Sequence, residues 1–270
     1  MRIATVQLHD GPRVVADVEG ELRTLDIHGD ALSLVQAGVD PRSLTVGDAV
    51  AGRLSAPLRP GKIVAIGLNY LDHIRESKLP QPKEPLVFAK FPSSVTGPND
   101  PIVVDVDLTV QVDWEVELGV VLGRRMRNVT VDAALDYVFG YTVGNDVSAR
   151  DVQFSVSQWT RGKSFDTFCP IGPVVVTPDE IPDPQSLALR TRVNGELMQD
   201  SSTAEMLFGV AELLAFCSRS CTLEPGDLLL TGTPWGCGYF MQPPRALAIG
   251  DVVECEVERI GVLRNVVAAA

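Results

Sequence analysis

The stretch Asp113-Trp114-Glu115-Val116-Glu117-Leu118-Gly119-Val120-Val121-Leu122 sets two glutamates one residue apart within an otherwise apolar run. Its composition predicts a β-strand, in which side chains two positions apart share a face. Asp113, Glu115 and Glu117 then lie on one face. Packed carboxylates repel one another and are costly to bury unless a positive group, such as a divalent cation that prefers oxygen ligands, neutralises them. The pattern alone also fits a half-buried strand with a wet, charged outer face.

A third acidic residue, Asp146, falls at the end of another predicted strand, just before a helical pattern. An aspartate in that place can serve simply as a helix N-cap. Together with Glu115 and Glu117 it could complete a site of three carboxylates. Such a site suits Mg²⁺ or Mn²⁺, which need few protein oxygens and keep positions for water and substrate. Because the chain has only three histidines, a histidine-rich zinc site is poorly supported.

Two further segments carry groups suited to catalysis. His73 and Glu76 share a face of a predicted helix, where a carboxylate can orient a histidine as a general base; a surface ion pair is the alternative. Arg161 and Lys163 lie in a glycine-containing loop, which is either a solvated loop or the counter-charge for an anionic substrate. Residues 231–238 form a glycine-rich turn that can reach a ligand but lacks the ending of a phosphate loop.

Length and composition describe an ordinary globular chain. Its 270 residues suffice for one large domain or one domain with a small appendage, and its 45% hydrophobic and 21% charged residues argue against disorder. No apolar run approaches the roughly 18–20 residues of a membrane span, so we expect no membrane partner. The net charge is −12 and the pI about 4.7. Since no basic run or patch is visible, we expect no nucleic-acid partner either.

The start of the chain and its cysteines bear on the compartment. The first eight residues alternate like a strand and lack the apolar h-region of a signal peptide, so we expect a cytoplasmic protein. The five cysteines form no CxxC pair and lack zinc-type spacing. We therefore expect reduced thiols in a reducing compartment.

The distribution of turn residues predicts two units. Residues 1–58 have the pattern of a small N-terminal α+β domain, and the proline- and glycine-containing passage 55–61 reads as a linker. Residues 59–270 form the larger domain. Its strands do not alternate regularly with long helices, so an α+β, β-rich and mainly antiparallel architecture fits better than a doubly wound parallel sheet.

The elements of the larger domain are predicted from the spacing of apolar residues, from the glycines and prolines between them and from candidate helix caps. Asn194-Gly195 is a strong two-residue hairpin signal, and Ser202 is a candidate N-cap. The predicted strands are 62–67, 86–91, 114–122, 138–146, 171–177, 187–194, 227–231 and 251–259, and the predicted helices are 70–77, 130–136, 149–154 and 203–219.

Taken in order, these motifs make the chain similar to the fumarylacetoacetate hydrolase family, in its branch of acylpyruvases and 2-hydroxyhepta-2,4-diene-1,7-dioate isomerases. The resemblance covers about residues 60–267. Each motif is weak alone, but five in the same order are specific. They are Gly67-Leu68-Asn69-Tyr70 with His73 and Glu76; Glu115-Val116-Glu117-Leu118; Asn145-Asp146-Val147-Ser148-Ala149-Arg150-Asp151; Gly162-Lys163-Ser164-Phe165-Asp166; and Thr231-Gly232-Thr233-Pro234 with Ile260-Gly261-Val262-Leu263-Arg264-Asn265.

The resemblance implies a mixed β-sandwich roll with a small N-terminal domain, and usually a homodimer. It also implies roles for individual residues. The ligands of a Mg²⁺ or Mn²⁺ ion would be Glu115, Glu117 and Asp146. The catalytic residues would be Lys163 and the pair His73 and Glu76, which would activate water from a mobile lid. The substrate-binding residues would be Arg150, Gln153, Thr233 and Lys90. Asp113 receives no role from the resemblance: it either supports the ligands from behind or turns to solvent after a bend.

The reaction that the resemblance implies first is hydrolysis of a carbon–carbon bond in a 2,4-dioxo acid, an acylpyruvate such as fumarylpyruvate or acetylpyruvate, through a metal-stabilised pyruvate enolate. The partner would be a small anionic 2-oxo acid. The same chemistry serves an oxaloacetate decarboxylase or a 2-hydroxydienoate isomerase, which are the alternatives. A non-catalytic ligand- or cation-binding protein on the same scaffold is a more remote one. Leu79–Pro85, Trp159 and Tyr239-Phe240 are candidates for the pocket wall.

Overall fold

The apolar runs of the sequence form most of the nineteen β-strands. The computed structural model describes residues 1–270. In chain order the strands are Arg2–Leu8 (β1), Gly11–Val18 (β2), Glu21–Leu25 (β3), Val46–Ala49 (β4), Arg53–Ser55 (β5), Ile63–Gly67 (β6), Leu86–Lys90 (β7), Val95–Thr96 (β8), Ile102–Val104 (β9), Val112–Asp113 (β10), Val116–Leu122 (β11), Val138–Asn145 (β12), Ser148–Ala149 (β13), Cys169–Val176 (β14), Ala188–Val193 (β15), Glu196–Ser202 (β16), Leu228–Leu230 (β17), Val252–Val257 (β18) and Gly261–Ala269 (β19).

Short helices join these strands. The α-helices are Ala31–Gln36 (α1), Leu71–Ser77 (α2), Val131–Ala134 (α3), Arg150–Gln153 (α4), Thr160–Lys163 (α5) and Val210–Ser220 (α6). Single 3₁₀ turns cover Pro41–Ser43, Pro92–Ser94, Leu135–Tyr137, Thr203–Glu205 and Gly238–Phe240. No helix combines the length and the apolar character that crossing a membrane requires.

Two mixed sheets carry the fold. The larger has the order β4-β3-β2-β1-β14-β12-β11-β17-β6-β7, with β5 added to β1 and β8 to β14, and the smaller has the order β16-β15-β18-β19-β9. A separate pair joins β10 to β13. The β17–β6, β14–β8 and β19–β9 pairs are parallel, and the remaining pairs are antiparallel. The predicted β-rich α+β class is confirmed, and the sheets do not close into a barrel.

The core lies between the sheets. β11 and β12 pack against β15 and β18, and β14 packs against β19. All seven residues of β11 are buried, so this strand is covered on both faces, as a central strand in a sandwich must be. Helix α6 contributes Leu213, Leu214 and Cys217 to the same core. Because β11 is central, any polar group at its start is held by a rigid frame.

Most predicted elements exist, with corrections at their ends. Each of the eight predicted strands has an observed counterpart, and Asn194-Gly195 closes a hairpin in which Val193 pairs with Glu196. The predicted helix 203–219 is wrong in its first part. The Ser202 side chain does accept a hydrogen bond from Ala204 N, but it caps only a 3₁₀ turn. Helix α6 begins later, where Glu212 accepts a hydrogen bond from Gly209 N at 2.8 Å.

The first 58 residues extend the large sheet. β1 pairs with β14 of the following region through Arg2↔Val176 and Ile3↔Val175. These residues also build a small apolar cluster of their own from Ile3, Val14, Ala16, Leu25, Ala31 and Leu34. The division into domains 1–58 and 59–270 stays a prediction.

All five cysteines are free thiols.

Candidate metal and catalytic site

The segment that opens with Asp113 is interrupted rather than a single strand. β10 ends at Asp113 and β11 begins at Val116, so Trp114 and Glu115 lie outside both strands. Asn145 Oδ1 accepts a hydrogen bond from Glu115 N at 3.0 Å and so holds the break open. Asp113, Glu115 and Glu117 are each 5% exposed or less. The interpretation as a wet outer face is therefore wrong, and so is the idea that a bend turns Asp113 to solvent.

Three carboxylates meet at the end of the central strands. β11 pairs with β12 in a register that sets Glu117 opposite Gly144 and Val116 opposite Asn145. Asp146 follows directly, and its N–H donates to Glu115 O at 2.9 Å. Side-chain oxygens of Glu115, Glu117 and Asp146 lie within 4.8 Å of one another, and all three residues are buried. The structure thus brings together the three predicted ligands.

Buried cations surround two of these carboxylates. Lys163 Nζ lies 2.6 Å from Glu115 Oε2 and 2.7 Å from Asp146 Oδ2, and Arg150 Nη2 lies 2.6 Å from Glu115 Oε1. Burial alone would raise the pKa of Glu115, but Arg150 and Lys163 outweigh it and lower that pKa to about 2. Burial likewise works against the charge of Lys163, yet Asp146 and Glu115 raise its pKa above the usual value. Both groups are therefore ionised near neutral pH.

Glu117 is the one carboxylate of the cluster that forms no ion pair. Its Oε2 accepts a hydrogen bond from Gly232 N at 2.8 Å. Gly232 has φ +95°, and a Cβ there would lie 2.9 Å from the Cβ of Asn69, so only glycine suits this approach. Burial, followed by repulsion from Asp146 and Glu115, raises the pKa of Glu117 well above its usual value. A buried oxygen cluster with one uncompensated charge fits a divalent cation.

Lys90 lies on the far side of Asp146. Its Nζ is 2.5 Å from Asp146 Oδ1 and 3.2 Å from Val147 O, and the residue is 1% exposed. It does not line the site cavity. Lys90 is thus a predicted substrate-binding residue that the structure does not place at the cavity. Lys90 instead forms a buried ion pair with Asp146.

Asp113 organises the region behind the carboxylates. Its Oδ2 accepts hydrogen bonds from Arg150 Nε at 2.9 Å and from Tyr239 N at 3.1 Å. Its Oδ1 accepts from Trp114 N at 2.9 Å and from Gly238 N at 2.7 Å. Arg150 is the link from Asp113 to Glu115, and its Nη1 also donates to Gln153 Oε1 at 3.0 Å. Asp113 therefore positions Arg150 and the 237–240 turn together.

Replacing Asp113 by asparagine is expected to lower the free energy of unfolding by about 2–3 kcal/mol, the range for hydrogen bonds to charged groups. The amide keeps one acceptor oxygen where the carboxylate uses two, and Arg150 loses a counter-charge. Urea denaturation without added metal measures the effect. Asp10→Asn, at an exposed position, is the control. Equal stability of Asp113→Asn and wild type would show that these contacts contribute nothing.

The predicted general-base pair forms on helix α2. His73 Nδ1 lies 3.1 Å from Glu76 Oε2, and Glu76 Oε1 accepts a hydrogen bond from Gly236 N at 2.9 Å. The His73 ring meets the Phe240 ring edge to face, with centroids 5.2 Å apart. His73 is 5% exposed, so the interpretation as a surface ion pair is wrong. The pair faces inward and is fixed from both sides.

Helix α2 is docked over the site. Asp72 accepts hydrogen bonds from Ser201 Oγ and from Trp235 N. Arg75 Nη2 forms an ion pair with Glu205 at 3.1 Å. Gly236, which holds Glu76, has φ +94°, and a Cβ there would collide with Met198 O. The predicted lid segment therefore lies in a closed position, although its mobility stays a prediction.

A small cavity of about 40 Å³ lies between α2 and the carboxylates. Its polar lining contains most of the predicted site: His73, Glu115, Glu117, Arg150, Gln153, Lys163 and Thr233. Of the candidates for the wall, Leu79, Trp159 and Phe240 line it, whereas Tyr239 lines a larger outer cavity of about 870 Å³. The arrangement can bind a small anion, hold positive charge beside it and present a histidine.

Sequence reasoning missed Gln199, which joins three parts of the site. Its Oε1 accepts hydrogen bonds from Val116 N at 3.0 Å and Thr191 Oγ1 at 2.8 Å, and its Nε2 donates to Thr233 Oγ1 at 2.9 Å. It replaces the backbone partner that β11 lacks at its first residue. Strand β16, which carries Gln199, was not predicted, and nothing in the local sequence marks this glutamine.

The mixed β-sandwich with a carboxylate cluster beside a buried His–Glu pair is the arrangement of an enzyme whose acidic site suits a divalent metal ion. The chain belongs to the fumarylacetoacetate hydrolase family, since its residues 62–268 match the model for the fumarylacetoacetate (FAA) hydrolase C-terminal domain. The predicted family is thereby confirmed.

Relatives and solved structures extend this result. A Xenopus laevis protein named oxaloacetate tautomerase fahd2, mitochondrial, is 45% identical over 243 residues, which cover 89% of this chain and 76% of the relative. The human oxaloacetate tautomerase FAHD2A, mitochondrial, is 47% identical over 214 residues, covering 78% and 68%. A solved structure of a fumarylacetoacetate hydrolase from Exiguobacterium antarcticum is 40% identical, with a TM-score of 0.91. A solved structure of a 5-carboxymethyl-2-hydroxymuconate delta-isomerase from Mycobacterium smegmatis is 35% identical, with a TM-score of 0.85. Each alignment covers 100% of this chain and 100% of the other.

The predicted cytoplasmic location is wrong on this comparison, because the similar relatives from Xenopus laevis, cattle and human are named as mitochondrial proteins. The prediction used the lack of an apolar h-region, which bears on secretion only. Segments that direct proteins to mitochondria are amphipathic and rich in arginine and serine, so an h-region is no guide to them.

Proposed function

We propose that this protein is a divalent-metal-dependent isomerase that interconverts the enol and keto forms of a small 2-oxo dicarboxylate, with oxaloacetate as the first candidate. One observation carries the proposal: His73 and the Lys163 ammonium line the same small cavity as Glu115 and Glu117. The names of the relatives as oxaloacetate tautomerases support the substrate class.

The metal would be Mg²⁺ or Mn²⁺, held by Glu115, Glu117 and Asp146, because three carboxylate oxygens without sulfur or imidazole suit hard cations. When bound, such a cation stabilises negative charge that develops on substrate oxygens. Lys163 adds to this stabilisation. Its ammonium has three N–H donors, of which Glu115 and Asp146 take two, so one is left for the oxygen at C2 of the substrate.

The reaction moves one proton from oxygen to carbon. With Nδ1–H of His73 hydrogen-bonded to Glu76, the free Nε2 takes the proton from the enol hydroxyl at C2. The same Nε2–H then delivers that proton to C3, which gives the keto form and returns His73 to its starting state. Arg150 and Gln153, which hold each other at 3.0 Å, orient a substrate carboxylate. The closed α2 keeps bulk water away from the reacting carbon.

Hydrolysis of an acylpyruvate is the second candidate, favoured by the His73–Glu76 contact of 3.1 Å, since the same pair can take a proton from water. One sample with Mg²⁺ or Mn²⁺ separates the candidates. For the proposed isomerase, enol absorbance of oxaloacetate decays faster with enzyme and pyruvate does not accumulate. Rapid loss of acetylpyruvate or fumarylpyruvate would assign the hydrolase, and pyruvate from oxaloacetate a decarboxylase. Inertness toward all three would leave a binding protein.

Replacing His73 by alanine is expected to lower tautomerisation by about 10²-fold, the lower range for general acid–base catalysis. The affinity for Mg²⁺ stays as in wild type, because His73 belongs to α2 and not to the carboxylate cluster. Enol decay and calorimetric titration with Mg²⁺ measure the two effects. His9→Ala, at an exposed position, is the control. Turnover near wild type in His73→Ala would remove the histidine from the mechanism.

We also propose a homodimer, as the family resemblance implies. An apolar surface supports it: Phe91, Leu108, Val110, Phe154 and Val156 are 43–68% exposed, and Phe91 and Leu108 line one surface cavity. Apolar surface of this kind favours association with a second copy. Light scattering is expected to give twice the chain mass of 29.1 kDa. A mass of one chain at micromolar concentration would refute the dimer.

A further inference from the structure

A second group of possible metal ligands lies beside the carboxylate cluster. His73, Glu76 and Cys237 each offer one ligand atom, and these atoms lie within 4.8 Å of one another. We propose that this His–Glu–Cys cluster binds a thiophilic divalent cation of the zinc type, and that the bound cation clamps α2 shut and stops turnover. The binding is independent of the proposed function, whereas the loss of turnover rests on it.

The donor set distinguishes this cluster from the carboxylate site. Thiolate and imidazole ligands select zinc-like cations, whereas carboxylates alone suit Mg²⁺ and Mn²⁺. Tetrahedral zinc with bonds of about 2.0–2.3 Å sets its ligand atoms roughly 3.5 Å apart. His73 Nδ1 and Glu76 Oε2 are already 3.1 Å apart. The cluster therefore needs a contraction of about 1 Å, within reach of side-chain rotation, and a fourth position is left for water.

The surroundings of Cys237 favour a cation. The thiol has only long polar contacts, to Pro234 O at 3.8 Å and from Gln199 Nε2 at 3.9 Å, so little is lost when the sulfur becomes a ligand. Burial raises the pKa of the Cys237 thiol well above its usual value, and the carboxylates of Glu115, Asp113 and Glu76 add to that rise against Arg150. The same carboxylates attract a cation that takes the place of the thiol proton. On binding, the thiol proton passes to water and a sulfur–metal bond forms.

The location of the cluster explains its effect. His73 and Glu76 belong to α2, while Cys237 follows the turn whose Gly236 N donates to Glu76. A cation shared by them would tie α2 to that turn and would occupy a ring nitrogen of His73. Glu76 also lines the outer cavity of about 870 Å³, which offers an entry path for an ion. The bound cation would thus keep His73 from exchanging protons with the substrate, and it would also prevent substrate from entering or leaving.

X-ray absorption at the zinc edge tests the binding. The full-length protein is loaded with one equivalent of Zn²⁺ over excess Mg²⁺, which occupies the carboxylate site. The expected spectrum contains one sulfur at about 2.3 Å and imidazole scattering. A shell of oxygen and nitrogen alone would overturn the proposal. This measurement uses the wild-type protein and needs no turnover, so it is separate from the test of the isomerase.

Matched cysteine variants locate the sulfur. Cys237→Ser is expected to lose the sulfur shell, whereas Cys221→Ser, which removes the exposed thiol, is expected to keep it. The reverse pattern would assign adventitious binding at the surface and refute the cluster. In turnover assays with excess Mg²⁺, Zn²⁺ is expected to inhibit wild type and Cys221→Ser about 10²-fold, the lower range for loss of a general acid–base group. Equal inhibition in Cys237→Ser would refute the clamp.

Discussion

Replacing Glu117 by glutamine is expected to reduce turnover about 10³-fold, the upper range for removing one group that stabilises developing charge, while the fold is retained. Glutamine keeps the size of the side chain and an oxygen that can accept the hydrogen bond of Gly232 N, which is 2.8 Å away in wild type. It removes the one carboxylate of the cluster that forms no ion pair. Calorimetric titration is expected to show weaker Mg²⁺ and Mn²⁺ binding in the same variant.

The stability of Glu117→Gln without metal gives an independent check. Burial and the repulsion from Asp146 and Glu115 raise the pKa of Glu117, so its charge is unfavourable in the metal-free protein. The free energy of unfolding is therefore expected to stay the same or to rise. Glu21→Gln, at an exposed position, is the control for both measurements. Unchanged metal affinity in Glu117→Gln would show that the three carboxylates are not the metal site.

Replacing Lys163 by methionine is expected to destabilise the metal-free protein by about 3–5 kcal/mol, the range for breaking a buried ion pair by removing one partner. Lys163 Nζ is bonded to both Glu115 and Asp146, at 2.6 and 2.7 Å, and is 2% exposed. Without it, the carboxylate charges are buried with less compensation. Urea denaturation in the presence of a chelator measures the loss, and turnover is expected to fall as well.

Added Mg²⁺ is expected to return part of the stability of Lys163→Met, because a cation that binds only the folded state stabilises it by mass action. Lys83→Met, at an exposed lysine, serves as the control and is expected to change stability by less than about 0.5 kcal/mol. If Lys163→Met were as stable as wild type in chelator, the ion pairs seen here would not be formed in the metal-free protein.

Local patterns in the sequence were sufficient for most of the secondary structure. Strands such as β12 and β14 are apolar runs with clear turn signals, and the hairpin at Asn194-Gly195 needs no distant contact to be recognised. The failures have physical causes. Residues 203–209 resemble a helix start because Ser202 can cap, but Glu212 caps the real helix, and α6 begins at Val210. No bounds were predicted for β16, the second arm of that hairpin; its Gln199 is hydrogen-bonded to Val116 and Thr233, which lie far away in the sequence.

The residues that cluster at the site were also predicted from the sequence. Glu115, Glu117 and Asp146, and the pair His73 and Glu76, are each brought together as predicted. The sequence did not predict how deeply these side chains are buried, because their burial depends on the second sheet and on α2. For the same reason the pattern could not place Lys90 behind Asp146, where it compensates charge.

By itself the sequence determined the β-rich class, the family and the donor atoms, because strand period, turn chemistry and motif order are properties of neighbouring residues. Only the tertiary structure decided what these groups do to one another. It interrupts the opening stretch at Trp114 and Glu115, so that Asp113 turns toward Arg150. It also sets Cys237, more than 160 positions after His73 in the chain, within reach of the histidine and Glu76. Contacts between residues so far apart depend on how the sheets pack, which no local pattern encodes.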